Sequence, residues 1–512
     1  GYCQRIFQDT YNKKPEAAHG GRGPADSPRM IRLLAFFSVS RYNSNRLKVR
    51  NDQIDKEELM RQENDLGKDP IGRLVVRIAL PSMLAQLVNV LYNIVDRMYI
   101  GNIAQTGDLA LAGVGVCGPV ITMVGSAAAL IGIGGAPLMS IYLGEGKREK
   151  AFAVVANCFL MLCILSVALT AVLFPMKEPM LLFFGASKAT ISYADSYFSI
   201  YLTGTIFALL SAGMSQFIIC QGFAKVGMKS VTLGAIINII LDPVFIFVLE
   251  MGVRGAALAT VLSQMASCAF VLLFLFSKKV PIRISFGGYE WRIIRKITVL
   301  GMTPFLIIAF DNVLIITLNA ALQHYGGAEG DKLLTCATIV QSFMLMVTMP
   351  LGGITGGTEP ILGYNFGARR TDRVIRAQKY IACFALVFTS VMFIASQTLP
   401  HYFVRIFTHN EEYISLTVWA IRIYTVGIIP LALQYVVVDG FTGMGVASVA
   451  IFLSMFRKVL YLGGVFVLPV LFGVTSIFYT EAISDFGGTV MSIAVYIVLI
   501  RKILNRREKG EL

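Results

Sequence analysis

Residues 238–247 read NIILDPVFIF, a run of membrane-grade hydrophobics with an Asn, an Asp and a Pro set into it. Asn238 and Asp242 are four residues apart, so on a helix they share one face. Pro243 has no amide hydrogen and leaves the carbonyl of Ile239 without its helical partner. A carboxylate at the centre of a membrane span costs about 2.5–3.5 kcal/mol on insertion scales, so Asp242 needs a reason to be there. The surroundings decide that the run is a span. Of 512 residues, 55% are hydrophobic and only 15% charged, with a mean hydropathy of +0.67. A soluble chain would carry nearer a quarter charged residues, so the fold class is all-α integral membrane.

A bilayer core takes about 20 apolar residues in a helix. On that measure the chain offers twelve spans, roughly 75–100, 109–143, 151–174, 192–220, 229–249, 254–276, 298–322, 333–365, 377–399, 413–440, 447–471 and 474–500. The loops alternate in charge. One set holds GEGKREKA, AKVGMK, SKKVPIR and WRIIRK, GARRTDRVIRAQKY and the tail RKILNRREKGEL. The other holds GNIAQTGDLA, PMKEPM, EMGVRG, YGGAEGDK and THNEEY, with isolated basic residues at most. Lys and Arg gather on the cytoplasmic side, so both termini are expected there and the span number is even. A plasma-membrane location is expected.

The net charge of +14 sits in these loops and in the tails, on no face interleaved with stacking aromatics, so no nucleic-acid partner is expected. Eight cysteines show no metal-ligand spacing, and seven of them fall inside apolar segments. His19, His324, His401 and His409 form no constellation, so neither a metal centre nor a cofactor is expected.

Residues 1–69 differ from the rest. NKKPEAAHGGRGPADSPRMIR is polar and rich in Gly and Pro, which suggests a disordered extension. MIRLLAFFSVSRYNSN is too short for a span, and no clean cleavage site follows it to make a signal peptide. NDQIDKEELMRQENDLG (51–67) suits a short amphipathic helix on the inner surface, with the functional chain starting near Met60.

The chain repeats itself. A shift of 223 residues lays Pro81 on Pro304, Asn89-Val90-Leu91 on Asn312-Val313-Leu314, Gly134 on Gly357, Pro137 on Pro360 and Gly144 on Gly367. Over residues 81–150 it gives 13 identities without a gap, where composition alone would give roughly five. A shift of 218 lays QGFAKVG (221–227) on DGFTGMG (439–445). Shared membrane composition explains aligned Val and Leu but not aligned Pro and Gly. Two parallel six-helix lobes in one monomer follow, 70–285 and 286–512, related by an axis along the membrane normal. Such halves suit alternating access. Nothing resembles a Walker A loop, so an ion gradient rather than ATP is the expected drive.

Ion coupling needs polar groups within the membrane. The carboxylates inside apolar segments are Asp96, Asp242, Asp311, Glu359, Glu481 and Asp485, with Asp439 nearer an inner end. For any one of them an ordinary interhelical hydrogen bond is the competing account. In the first half, Asp96, Asn238, Asp242 and Thr260 all fall in the outer part of the bilayer by span arithmetic. Two carboxylates, an amide oxygen, a hydroxyl and the freed carbonyl are hard ligands that suit Na+. The same two carboxylates, buried and close, would equally share a proton. In the second half, Asp311, Glu359, Glu481 and Asp485 are expected to face a cavity with too little compensating positive charge, and so to attract cations. The glycines of PLGGITGGTEP (350–360) suggest a bent or broken eighth helix, or else close helix contact.

At NIVDRMYIG (93–101), QGFAKVG (221–227), NIILDPVFIF (238–247), GVRGAALATVLSQ (252–264) and EPILGYNFGARR (359–370) the chain resembles the multidrug and toxic compound extrusion (MATE) transporters, from about Ile71 to Ile500. The resemblance implies a twelve-helix, two-lobe antiporter that expels organic cations in exchange for H+ or Na+. It also implies a cation site in the first lobe at the positions matching Asp96, Asn238, Asp242 and Thr260, all present here. Glu359 stands where Gln is common in that family, which adds a charge to the second lobe. The expectation is an exporter of cationic or amphipathic drugs and not an enzyme, since no catalytic constellation is present. The alternative is a flippase for a lipid-linked saccharide precursor. That would need a cationic cavity for pyrophosphate, whereas the mid-span residues singled out here are acidic. A channel or a membrane enzyme is a third class, with less to support it.

Overall fold

The computed structural model describes residues 64–511, apart from 104–106, 185 and 409 and the side chains of 108, 328 and 331. Most of the expected extension, and of the amphipathic helix at 51–67, lies outside the described residues. The described chain is largely helical, with no strand among the described residues. Its membrane helices are α1 Ile71–Gly101, α2 Gly107–Gly144, α3 Arg148–Phe183, α4 Ile191–Thr203 with Thr205–Cys220, α5 Ala224–Pro243, and α6 Val253–Phe276. The second half follows with α7 Trp291–Gly326, α8 Gly330–Gly367, α9 Thr371–Thr398, α10 Glu411–Tyr424 with Ile428–Gly443, α11 Ala447–Phe472 and α12 Tyr479–Lys509. Ten are continuous and apolar enough to cross a bilayer, and α4 and α10 are spans broken by bends of 57° and 47°. Twelve spans in two six-helix lobes result.

The lobes exchange their first helices at one end. The opening turns of α1 bury Leu74, Val75, Ile78 and Ala79 in an apolar cluster with α8, α9 and α10 of the other lobe. Reciprocally, Ile293, Ile297 and Leu300 of α7 pack among α2, α3 and α4. This is the end that carries the basic loops.

Glycine makes the closest approach at that end. A Cβ on Gly144 would stand 2.0 Å from the Tyr364 carbonyl oxygen, and one on Gly367 would stand 2.2 Å from that of Ile141. Residues 141 and 364, like 144 and 367, are equivalent under the 223 shift, so the contact is two-fold symmetric. Deeper in the seam, a Cβ on Gly301 would lie 1.7 Å from the Leu130 carbonyl, and one on Gly357 would lie 2.5 Å from Ser82 Cβ. No residue with a side chain fits these positions, and backbones this close gain dispersion and weak Cα–H···O contacts. Toward the other end the helices part: added Cβ atoms on Gly115, Gly118 and Gly125 of α2 would meet nothing within 4 Å. The expected break in α8 is absent. The helix runs unbroken through Pro350 and Pro360, and its glycines serve close contact instead: Gly353 and Gly357 lie on Ser82, and Gly363 on Gly443.

Residues 64–69, expected to belong to the extension, are held by side chains of the second lobe. Asn365 donates to the Leu66 carbonyl (2.9 Å), Arg370 to that of Gly67 (2.6 Å) and Arg373 to that of Asp69 (2.9 Å). Asn64 in turn donates to the Gly222 carbonyl (2.8 Å). These bonds satisfy carbonyls just ahead of α1, where the chain cannot yet make helical ones.

Candidate functional site

In the first lobe α5 brings Asn238 and Asp242 onto one buried face, 1% and 0% exposed, with Asn238 Nδ2 donating to Asp242 Oδ1 at 3.2 Å. The helix ends at Pro243 and continues as a single π turn, Val244–Val248. A widened turn is how a helix absorbs the hydrogen bond that proline removes, and such turns gather at functional sites. Asp96 on α1 reaches Asp242 directly. Neither carboxylate takes part in an ion pair among the described residues. Asp96 Oδ1, Asp242 Oδ2 and Asn238 Oδ1 are all buried without a hydrogen-bond donor. Two facing carboxylates cannot satisfy each other. One must carry a proton, or a cation must sit among these oxygens.

The break in α4 completes this site. Gly204 lies in the bend, where a Cβ would strike Val261 of α6 at 2.5 Å. Tyr197, about two turns before the bend, reaches Thr260 and lies near Asp96, while Tyr201 reaches Gln264. All four predicted residues, Asp96, Asn238, Asp242 and Thr260, therefore share one neighbourhood. Tyr197, Tyr201 and Gln264 belong with them and carry no signal in a scan for membrane carboxylates.

The second lobe holds a different cluster at the related place. Arg457 of α11 donates to Glu481 Oε1 at 3.1 Å and to Asp485 Oδ1 at 2.8 Å, both on α12. The next residue, Lys458, pairs with Asp311 of α7. Positive charge is therefore present where only acidic residues were singled out: Arg457 and Lys458 lie inside the membrane with Glu481, Asp485 and Asp311, two cations against three carboxylates, and pairing lowers the cost of burying these charges. The signal that reveals them is an Arg-Lys pair in the middle of the span 447–471. Glu359 is not part of this cluster. It is buried where α8 meets Gly443 of α10, with Asp439 as its nearest carboxylate, because α8 turns that face toward α10 rather than toward α12.

The repeat registers explain the likeness of the two places. The 223 shift carries IYLTG (200–204) onto IYTVG (423–427), so the α4 bend at Gly204 falls on the α10 bend at Gly427. Gly427 packs on Asp485, as a Cβ there would stand 2.6 Å from that of Asp485. A shift of 221 lays Gly252-Val253 on Gly473-Val474, which sets Thr260 on Glu481 and Gln264 on Asp485.

The description of the MatE family matches residues 81–244 and again residues 308–467, one copy in each half. The chain belongs to the MATE family. This MATE protein is 24% identical over 431 residues to "Multidrug export protein MepA" of Staphylococcus aureus, covering 82% of this chain and 92% of that protein. The MepA of Staphylococcus haemolyticus is 23% identical over 422 residues, covering 81% and 91%. Among solved structures, one titled "Outward-facing conformation of a multidrug resistance MATE family transporter of the MOP superfamily" superposes with a TM-score of 0.80 at 22% identity, covering 86% of this chain and 98% of that one. A MOP superfamily transporter from Pyrococcus furiosus, whose title reports reversed polarity of the binding pocket, gives the same score, identity and coverage. The structural likeness shows the fold. With the family established, the protein is a multi-pass membrane transporter and not an enzyme.

Proposed function

We propose that this MATE protein is a secondary antiporter that exports cationic or amphipathic compounds in exchange for H+ or Na+ by alternating access. The observation that supports it most is the meeting of two carboxylates, Asp96 and Asp242, with no ion-pair partner among the described residues and with one buried oxygen on each, Asp96 Oδ1 and Asp242 Oδ2, that no donor reaches. Such a site has a strong differential affinity for a small cation, and a ligand can shift a conformational equilibrium only through that difference. Alternating access fits lobes that are sealed at the basic end and parted at the other. With the basic loops and both termini in the cytoplasm of a plasma membrane, this is an outward-open state. Small organic cations are the proposed cargo, carried by a monomer. The flippase alternative stays weak, because Arg457 and Lys458, two basic residues in the middle of a span, are already paired with carboxylates.

The test is Asp242→Asn. It keeps size and hydrogen-bonding capacity but removes the charge, so the fold survives and insertion becomes easier. Export of ethidium from vesicles, driven separately by H+ and Na+ gradients at matched protein levels, is expected to disappear. Asp96→Asn should act similarly and Asn238→Ala more mildly. Full gradient-driven export in Asp242→Asn would refute the assignment of the coupling site.

A further inference from the structure

We propose that Asp311 binds one lipophilic organic monocation, and that Lys458 is its tethered competitor, moving from Asp311 to Asp485 when the cation arrives. This rests on the export reading above and adds to it a place, a stoichiometry and a built-in displacement.

The argument begins with a charge count. The network holds three carboxylates, Asp311, Glu481 and Asp485, and two cations, Arg457 and Lys458. With all five groups ionised, one negative charge is left over inside the membrane, where an uncompensated charge is expensive. The geometry shows where that surplus lies. Arg457 is committed to both α12 carboxylates, yet Asp485 Oδ2 is buried with no hydrogen-bond partner. Asp485 is 0% exposed, so nothing from outside reaches that oxygen. The cation placed to move there is tethered: Lys458 adjoins Arg457, which already holds Asp485, and it lies close enough to feel the charge of both Glu481 and Asp485.

The accessible member is Asp311. Its side chain keeps 47% of its surface open, while that of Lys458 keeps 5%. Asp311 lies ten residues beyond Gly301, where α7 leaves its contact with α2, and so in the half of the molecule where the lobes part. A cation entering between the lobes therefore meets Asp311 first. When it binds there, the ammonium of Lys458 is released to Asp485 Oδ2, and three carboxylates then face three cations. A permanently charged monocation supplies the third positive charge at any pH, and so suits the site best. The remaining titratable groups around the network are Tyr424, Tyr435 and Tyr461, with the Tyr424 and Tyr461 hydroxyls 3.3 Å apart. They add polar and aromatic surface but no competing charge.

Calorimetric titration of the purified full chain with tetraphenylphosphonium at fixed pH tests this. One site is expected. Asp311→Asn should weaken binding at least tenfold, and Lys458→Gln should tighten it several-fold by removing the competitor. Because Asp311→Asn leaves a buried lysine to find a new partner, the double variant Asp311→Asn/Lys458→Gln serves as the well-folded control and should bind as weakly as Asp311→Asn. Unchanged affinity in the Asp311 variants, or weaker binding in Lys458→Gln, overturns the proposal. So does binding that survives in the double variant and is lost in Asp242→Asn. That pattern would move the substrate to the other lobe and leave the export reading intact; the export reading itself falls only if gradient-driven efflux fails.

Discussion

Among the described residues, one ion pair joins the two lobes across the seam at the basic end, and its removal has a calculable effect. Arg507, near the end of α12, donates through Nε to the Phe366 carbonyl at 3.0 Å and through a terminal nitrogen to that of Gly367 at 3.2 Å. Both acceptors lie in its own lobe, so these bonds aim the guanidinium rather than join the halves. The joining contact is the pair with Glu145, in the turn between α2 and α3. Only 8% and 15% of the two side-chain surfaces are open. Truncating one partner of a buried, hydrogen-bonded charge pair costs about 2–5 kcal/mol. Glu145→Gln keeps a neutral acceptor, and the second partner Lys147 is 54% exposed and contributes little, so the low end applies. A loss of about 1.5–2 kcal/mol multiplies the population with the basic end open by roughly tenfold to thirtyfold, since about 1.4 kcal/mol is a factor of ten.

The assay is maleimide labelling of Ile141→Cys in a background without other cysteines. That position is half-buried in the seam, its carbonyl on Gly367 and its side chain on Gly445, so labelling speeds up as the lobes part. When opening is rare and fast, the labelling rate tracks the open population. The Glu145→Gln variant should therefore label at least ten times faster than its parent. Equal rates would mean that the glycine contacts alone hold the seam and that the pair is a bystander.

Three further outcomes follow from the same contacts. Gly144→Val places side-chain carbons where the Tyr364 carbonyl already stands, so the protein should insert normally but lose export and label rapidly at Ile141→Cys; normal transport would show that the seam need not close this tightly. The Glu145 carboxyl is pushed up by burial but pulled further down by Arg507 and Lys147, so its value lies below the usual carboxylate range. A lowered value in the sealed state means that the pair stabilises the seal above the ordinary carboxylate range and is lost as pH falls through the lowered value, below about pH 4, so labelling divided by that of a fully exposed control cysteine at the same pH, which cancels the titration of the thiol, should be flat from pH 5 to 8. A chain begun at Met60 should export normally, whereas one begun at Ile71 should fail, because it lacks the carbonyls held by Asn365, Arg370 and Arg373; full activity in the shorter chain would show that this clasp is dispensable.

Spans and repeat were legible in the sequence for a physical reason: a bilayer demands some 20 apolar residues per helix, and duplication preserves Pro and Gly at spacings that composition cannot imitate. The first-lobe oxygens were legible too, because a carboxylate in a hydrophobic run stands out by its cost. What escaped depends on partners far away in sequence. PLGGITGGTEP is compatible with a kink or with close contact, and only Ser82, some 270 residues earlier, decides for contact. Gly204 and Gly427 look unremarkable in sequence because their bends are set by Val261 and Asp485 on other helices. A scan of acidic residues also passes over Arg457 and Lys458, whose presence turns a supposed set of free carboxylates into a paired network. The repeat supplies the missing step. Once Gly204 falls on Gly427, and Thr260 and Gln264 fall on Glu481 and Asp485, the second lobe holds the first lobe's site in altered chemistry. In one lobe the carboxylates come from α1 and α5 and have no ion-pair partner among the described residues. In the other they come from α12 and α7, and α11 has brought cations of its own.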